Sequence, residues 1–381
     1  MYNVAWIGLG KLGMPCAEVC ARSGFKVFGY DIDKSITSDS VLIQPTLEET
    51  VRDSDIIFVA VPTPHHEVYD GKTPTSDLPC RDFNYDAVTS VLSELNQLCN
   101  KSQIVALVST VLPGTISDRL LTHTSNYKFV YNPFLIAQGT VAWDYQNPDI
   151  LMLGVDNKTI IENDFSDLLT FYANILENDA SFECGTYEEI ECLKVFYNTW
   201  ITTKITFVNM IQDVAEKLGN IDVDSITSSL SRCSKRITSS AYMKAGLGDG
   251  GSCHPRDNIA LSYLAEKLDL GYDFFAYIMS IREAQAENMA EKILSLGRKV
   301  YFTNYNFKPD VNCEDGSYVR LVEFYVKEHG GLIVDNELNA DVIFLSYPSD
   351  KYNKLSDALV FDPWRARTRG YSYHYGDTLN D

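Results

Sequence analysis

The sequence lacks three features that would assign it to well-known classes of protein. No apolar run approaches the ~20 residues that a membrane-spanning helix needs, so we expect no passage through a membrane. The 9 cysteines form no CxxC pair and no cluster with histidine at metal-ligand spacing. This pattern favours reduced thiols over a disulfide framework, and we expect no bound metal. Positive charge is scarce, with 32 Lys and Arg against 52 Asp and Glu, so we expect no nucleic-acid partner.

The first residues, MYNVAWIGLG, also lack the basic and apolar segments of a secretory signal. Together with the unpaired cysteines, this start predicts a cytoplasmic protein. A chain of 381 residues exceeds the size of most single cores, so two or three domains are expected.

Apolar strand-like runs alternate with amphipathic stretches through the first half of the chain. Runs such as NVAWIGLG, DIIFVAVPTP and QIVALVSTVLPGT predict βαβ units and a parallel sheet covered on both faces. From about residue 186, helical spacing of apolar residues continues for some thirty positions without Gly or Pro, which predicts a long helix. We predict an α/β protein with a Rossmann-like dinucleotide-binding domain over 1–184, a helical connector over 185–296 and a smaller α/β domain over 297–381.

A glycine-rich motif, GLGKLG, directly follows the first predicted strand and opens a helix. Gly8, Gly10 and Gly13 permit a tight turn, close approach of the backbone to a pyrophosphate, and close packing of helix on strand. Asp31 ends the second strand, 18 positions after Gly13, where a carboxylate accepts hydrogen bonds from an adenine ribose. The same carboxylate repels a 2′-phosphate, so the motif predicts NAD rather than NADP.

A second motif, GDGGSCHPRD at residues 248–257, places three glycines before one cysteine. Flanking glycines expose the backbone, and the thiolate of Cys253 is a strong nucleophile toward a carbonyl carbon if cations lower its pKa. Arg256 and Lys244 are the candidate cations. The alternative, an inert buried cysteine, suits the other eight cysteines better than this polar, flexible segment.

A third motif, KVFYN, lies on the predicted long helix. Lys194 and Asn198 are four positions apart and therefore share one helical face. An ammonium and a carboxamide directed at one pocket stabilise an alkoxide or hold a catalytic water. The alternative is a solvated pair on an exposed face.

Taken in order, these motifs resemble the UDP-glucose/GDP-mannose dehydrogenase family of NAD-dependent nucleotide-sugar 6-dehydrogenases. The resemblance extends along nearly the whole chain. Its further motifs are VPTP at 61–64, STV at 109–111, NPFLIAQGT at 132–140, FKP at 307–309 and FDPWR at 361–365.

The resemblance implies two NAD-dependent oxidations of the C6 hydroxymethyl of a nucleotide sugar, most simply UDP-glucose to UDP-glucuronate. Cys253 would hold the aldehyde level as a thiohemiacetal and then a thioester. Lys194 and Asn198 would support the developing charge through a water, and Asp257 would orient both the lysine and that water. Thr110 would lie near the reacting carbon.

The remaining site residues are assigned by the same resemblance. The NAD contacts would be Gly8, Gly10, Lys11, Leu12, Gly13, Asp31, Pro62, Thr63, Ser109, Thr110 and Arg256. The nucleotide-sugar contacts would be Phe134, Leu135, Gln138, Lys194, Asn198, Arg236, Tyr242, Lys244, Gly250, Lys308 and Arg365. Arg236 matches an arginine that reaches across a dimer interface, so a homodimer is implied.

The sequence departs from the family pattern at several positions. The family usually reads NPEFL, and without a gap its glutamate, a general base for thioester hydrolysis, falls on Phe134. A phenyl ring moves no proton, and a second family acid is matched by the uncharged Gln138. Either another base such as Asp257 completes the reaction, or its second half is slow, altered or absent. Asp249 and His254 replace family residues beside the cysteine and are either ligand contacts or satisfied turn residues.

Two other functions remain open on the sequence alone. A two-electron β-hydroxyacid dehydrogenase shares the glycine motif and a Lys and Asn on a long helix, but leaves Cys253 and the third region unexplained. A non-catalytic nucleotide-sugar binding protein would explain Phe134 and Gln138, but not why Cys253 and Lys194 occur together.

Overall fold

A computed structural model describes residues 2–64, 78–79, 81–137, 139–156, 164–239, 241, 244–249, 253–306, 312–314, 316–348, 358–366 and 372–377, without the side chains of Cys253 and Arg256. The chain divides into two compact units, Met1–Lys204 and Ile205–Asp381. This division falls inside the long helix. The three-domain boundaries at 184 and 296 stay a prediction.

The first unit is built on a predominantly parallel eight-stranded sheet. Its strands are β1 (Asn3–Ile7), β2 (Lys26–Tyr30), β3 (Leu42–Ile43), β4 (Ile56–Val59), β5 (Ile104–Leu107), β6 (Lys128–Tyr131), β7 (Ile150–Val155) and β8 (Ser181–Thr186). They lie in the order β3-β2-β1-β4-β5-β6-β7-β8, and only β6 and β7 pair antiparallel. Every residue of β4 and β5 is buried, because apolar layers cover both faces of the sheet. The predicted α/β class with a Rossmann-like dinucleotide-binding domain is confirmed.

Helices follow most strands of this sheet and cover its faces. They are α1 (Gly13–Arg22), α2 (Leu47–Val51), α3 (Asp86–Leu98), α4 (Val141–Gln146), α5 (Ser166–Ala173) and α6 (Tyr187–Leu218). A π-helical turn (Ile116–Leu120) and a 3-10 turn (Leu121–His123) lie between β5 and β6. No helix of the described ranges is long and apolar enough to cross a bilayer.

The predicted long helix is confirmed as α6, which has 32 residues. A reciprocal pair of hydrogen bonds marks its start. The backbone N–H of Glu189 donates to the Thr186 hydroxyl (3.3 Å), and the Thr186 N–H donates to the Glu189 carboxylate (2.8 Å). Such a capping box satisfies N–H groups that have no partner within the helix. It fixes where α6 leaves β8 and therefore which residues face the sheet.

The second unit contains the last part of α6 and a smaller parallel sheet. Its helices are α7 (Val223–Ser231), α8 (Cys253–Lys267), α9 (Phe274–Leu296) and α10 (Tyr318–Glu328). Its strands are β9 (Lys299–Phe302), β10 (Leu332–Ile333), β11 (Val342–Phe344), β12 (Leu359–Asp362) and β13 (Ser372–His374), in the order β10-β9-β11-β12-β13. Buried residues of α9 and α10 pack on this sheet.

Candidate active site

The glycine-rich turn after β1 has the geometry of a dinucleotide site. Gly8 has φ +88°, and a Cβ there would fall 2.6 Å from the Ala60 carbonyl oxygen. A Cβ on Gly13 would fall 1.9 Å from the Gly8 carbonyl oxygen, so helix α1 packs directly on the turn. A Cβ on Gly10 would meet no atom within 4 Å. The backbone is therefore open at Gly10, where a pyrophosphate can approach the start of α1.

The turn lies where the strand order reverses, since β1 is flanked by β2 on one side and β4 on the other. Ligands of open α/β sheets bind outside the carboxyl ends of the strands at such a point. Lys11 is exposed there, and Leu12 is partly buried against the core.

Asp31 is held over the turn by backbone donors. Its carboxylate accepts the N–H of Leu9 (2.7 Å) and the N–H of Asp33 (2.9 Å), one on each oxygen. A carboxylate has about four acceptor positions, so both oxygens retain capacity for ribose hydroxyls. The residues present therefore fit the adenosine half of NAD, and the negative charge disfavours a 2′-phosphate.

The loops after β4 and β5 are joined by side-chain hydrogen bonds. The Ser109 hydroxyl donates to the Val61 carbonyl (2.6 Å), and the Thr63 hydroxyl donates to the Thr110 carbonyl (2.7 Å). The structure thus brings the predicted Thr63, Ser109 and Thr110 together at the carboxyl edge of the sheet, with Pro62 exposed beside them. VPTP and STV, which are 48 positions apart in sequence, form one local surface.

Lys194 reaches this edge from α6. Its ammonium donates to the carbonyl oxygen of Phe134, which follows β6, at 2.6 Å. Burial lowers the pKa of Lys194. Asn198 lies one turn later and is exposed. An ammonium with a lowered pKa at the carboxyl edge of the sheet can stabilise negative charge that develops on a substrate oxygen.

Phe134 turns its ring away from that edge. The ring packs in the core at 5.1 Å from the Tyr145 ring and 6.4 Å from the Trp6 ring, measured between centroids. Leu135 packs into the other apolar layer. The Phe134 ring is partly buried against the core while its backbone carbonyl contacts Lys194, and the predicted contact of Phe134 with the substrate stays a prediction. Gln138 lies outside the described residues.

Cys253 is the first residue of α8. The positive end of a helix lowers a thiol pKa, so this backbone position suits a thiolate nucleophile. Asp257 is exposed and lies four residues later, on the same face of the helix. The side chains of Cys253 and Arg256, and the residues Tyr242, Gly250 and Lys308, lie outside the part of the chain that the structure describes.

The segment before Cys253 is anchored by an ion pair. The carboxylate of Asp249 lies 2.5 Å from Nε of Arg282 on α9, and both side chains are largely buried. The Arg282 guanidinium lies 5.3 Å from the centre of the Tyr318 ring. Asp249 was predicted to be either a ligand contact or a satisfied turn residue, and the ion pair with Arg282 favours the second. His254 is exposed at the start of α8.

Arg365, the last residue of the FDPWR motif, also contacts the segment before Cys253. Its guanidinium donates to the carbonyls of Ala245 (2.6 Å), Pro363 (2.8 Å) and Tyr375 (2.8 Å). A Cβ on Gly246 would fall 2.4 Å from the Trp364 ring, so that ring lies directly on the glycine. Most of the Arg365 donors are therefore satisfied by backbone carbonyls of the protein. The contact of Arg365 with a nucleotide stays a prediction.

A cleft of about 410 Å³ lies beside this segment. Exposed Lys244 lines it together with two amides on α9, Gln285 and Asn288, and two phenols, Tyr318 and Tyr375. The amides and phenols were not predicted from the sequence, because no local motif marks them. Arg236 is exposed next to Arg232 and Lys235, in a basic run elsewhere in the second unit.

Comparisons with known proteins show the family to which the chain belongs. The NAD-binding domain model of the UDP-glucose/GDP-mannose dehydrogenase family matches residues 36–174, and its central-domain model matches residues 188–284. The chain is 24% identical to the UDP-glucose 6-dehydrogenase of Rickettsia typhi, over 80% of this chain and 74% of the relative. It is 27% identical to the GDP-mannose 6-dehydrogenase of Pseudomonas putida, over 84% of this chain and 77% of the relative.

A solved structure shares the fold. The ternary complex of GDP-mannose dehydrogenase from Pseudomonas aeruginosa superimposes with a TM-score of 0.83 at 22% identity, over 98% of this chain and 99% of the other.

Proposed function

This chain belongs to the UDP-glucose/GDP-mannose dehydrogenase family, and we propose that it oxidises UDP-glucose to UDP-glucuronate with two molecules of NAD. The reaction converts R-CH₂OH, two NAD⁺ and one water into R-COO⁻, two NADH and three protons. Each NAD accepts one hydride from C6. The observation that carries the proposal is the position of Lys194, with its ammonium against the Phe134 carbonyl at the same sheet edge as the glycine turn.

The proposed first step removes a hydride and a proton from the C6 alcohol. The ammonium of Lys194 stabilises the alkoxide character that develops on the C6 oxygen, with Asn198 and a water on the same helical face. Thr63 and Ser109 hold the loop that carries Thr110 in place beside it.

The proposed second step is covalent. The Cys253 thiolate adds to the aldehyde carbon, the resulting thiohemiacetal loses its hydride, and a thioester remains. The N-terminus of α8 favours the thiolate. Water then attacks the thioester carbon, the C–S bond breaks, and the thiolate is regenerated.

Hydrolysis of the thioester requires a general base. The described residues 132–137 of the loop after β6 include no carboxylate that could serve as one. Asp257 shares the face of α8 with Cys253 and is the acidic group proposed to activate the water. Because the described residues of this loop supply no second general base, we expect hydrolysis to limit turnover.

We also propose that the protein is a homodimer formed through α6. Its exposed apolar residues include Phe196, Trp200, Ile201, Ile205, Phe207 and Val208. Isolated monomers rarely expose a continuous apolar stripe of this kind. Trp200→Asp should convert the dimer to a monomer in light-scattering measurements, and a parent chain that is already monomeric would contradict the proposal.

The function is tested by counting NADH formed per nucleotide sugar consumed, with UDP-glucose and GDP-mannose compared as substrates. The proposal predicts two NADH per UDP-glucose. Cys253→Ala should abolish product acid, whereas Cys233→Ala, at an exposed cysteine of the same unit, should leave it unchanged. One NADH per turnover with released aldehyde, or a preference for GDP-mannose, would contradict the proposal.

A further inference from the structure

Glu191 is a charged side chain that is completely buried in the first unit, with 0% exposure. It lies on α6, one helical turn before Lys194. Acidic side chains are almost never fully buried without partners that satisfy their oxygens. Its partners therefore indicate what the carboxylate does.

Both oxygens of Glu191 accept backbone N–H groups of the loop after β5. Oε2 accepts the N–H of Gly114 at 2.7 Å, and Oε1 accepts the N–H of Ile116 at 2.9 Å. Gly114 has φ +87°, a conformation that glycine adopts without strain. The carboxylate thus binds two N–H groups of a tight turn that begins four residues after Thr110.

Two successive turns of α6 therefore contact two different loops at the carboxyl edge. Glu191 binds the loop after β5, and Lys194 binds the Phe134 carbonyl after β6. β5 and β6 are adjacent strands of the sheet. A shift of α6 along its axis would break both contacts at once, so Glu191 sets the position of the Lys194 ammonium relative to Thr110.

Burial raises the pKa of Glu191, while its two N–H bonds act in the opposite direction. A neutral amide would leave one of the two N–H groups facing an NH₂ group. The contact therefore depends on an acceptor at both oxygens.

We propose that Glu191 is a positioning residue that holds Lys194 and Thr110 in register for the first hydride transfer. This inference rests on the proposed function. Glu188 provides a matched control, because it is exposed on the same helix and accepts a hydrogen bond from Ser117 of the same loop.

The test compares Glu191→Gln and Glu188→Gln in the full chain with UDP-glucose and NAD. We expect the single-turnover rate of first NADH formation by Glu191→Gln to fall on the order of 10²-fold, because small misplacements of a catalytic group have effects of that size. The Kd for NAD should change by less than about twofold, because no NAD contact is removed. Glu188→Gln should keep the parent single-turnover rate. An unchanged single-turnover rate in folded Glu191→Gln, or an equal loss in Glu188→Gln, overturns the proposal.

A second readout requires no turnover. Acetylation of Lys194 by acetic anhydride at alkaline pH, where the amine is neutral, followed by mass spectrometry, should be slower in the parent than in Glu191→Gln, because the partly buried contact with Phe134 shields the amine from the reagent. Glu188→Gln should label like the parent. If the parent forms no NADH, the proposed function fails, whereas unchanged Lys194 labelling refutes the role of Glu191 alone.

Should Glu191→Gln not fold, Glu191→Asp replaces it. The shorter carboxylate keeps the charge but cannot reach both N–H groups. We expect a lower single-turnover rate of first NADH formation and faster Lys194 labelling, and parent values for both would overturn the proposal.

Discussion

The ammonium of Lys194 and the carbonyl oxygen of Phe134 form a 2.6 Å hydrogen bond, while the Phe134 ring faces the opposite way into the core. One residue thus supplies both a backbone acceptor for the proposed catalytic lysine and a side chain for the packing of the sheet. The bond orients a partly buried cation without neutralising it. That combination explains why the lysine has a lowered pKa and yet remains able to stabilise a substrate oxyanion.

The pH dependence of the first hydride transfer should follow Lys194. The ammonium form is the active one, so the rate is constant below the lysine pKa and falls as pH rises through it. Because burial lowers that pKa, the fall begins at a lower pH than for an exposed lysine, whose pKa is about 10.4.

Lys194→Arg keeps its charge across this range, so its alkaline fall should disappear even if its rate is lower. Single-turnover NADH formation is measured against pH in a Cys253→Ala background, which removes titration of that thiol. An identical alkaline fall in both proteins would contradict the role of Lys194.

Phe134→Glu should not restore a family-like base. A carboxylate placed between the Trp6 and Tyr145 rings loses its hydration without gaining a partner. We expect the free energy of unfolding to fall by about 3 kcal/mol, against less than about 1.5 kcal/mol for Phe134→Leu. Urea unfolding measures both, and a stable Phe134→Glu with faster turnover would show that the side chain can reach the substrate.

Asp31 should determine the choice of cofactor. Asp31→Asn keeps the acceptor oxygen for the Leu9 N–H but loses the charge that repels a 2′-phosphate. The ratio of kcat/KM for NAD to that for NADP should fall about tenfold or more, which corresponds to about 1.4 kcal/mol. Asp33→Asn is the control, because that carboxylate binds Ser35 instead. Equal ratios in both variants would contradict the assignment.

The ion pair between Asp249 and Arg282 should stabilise the second unit. A double-mutant cycle with Asp249→Asn and Arg282→Gln should give a coupling free energy of about 1.5 kcal/mol, because both side chains are largely buried. Thermal unfolding of the four proteins measures it. Additive effects would show that the pair contributes nothing to stability.

The parts that the sequence predicts are those set by local pattern. Strands that are apolar on both faces require a covered parallel sheet, and the spacing from Gly13 to Asp31 requires a strand end beside the turn. Lys194 was predictable because the helical period is regular over the whole of α6.

The parts that it does not predict depend on direction and on distant partners. The motif NPFL does not show that the Phe134 ring packs against the core. A shift of one residue in the register of the loop would reverse which side chain faces the site. Arg365 reads as a ligand cation, but its donors go to carbonyls up to 120 residues away. Glu191 stands in the polar run YEEIE and resembles a solvated surface acid until the loop after β5 is placed over it.

Intact-protein mass spectrometry during turnover tests four-electron oxidation through Cys253 with slow release of the acid. With UDP-glucose and excess NAD, we expect rapid formation of two NADH per chain and a mass increase of one UDP-glucuronyl group. That group should map to Cys253 and disappear with hydroxylamine. One NADH per chain with an unmodified Cys253 and free aldehyde in solution would show that oxidation stops after two electrons.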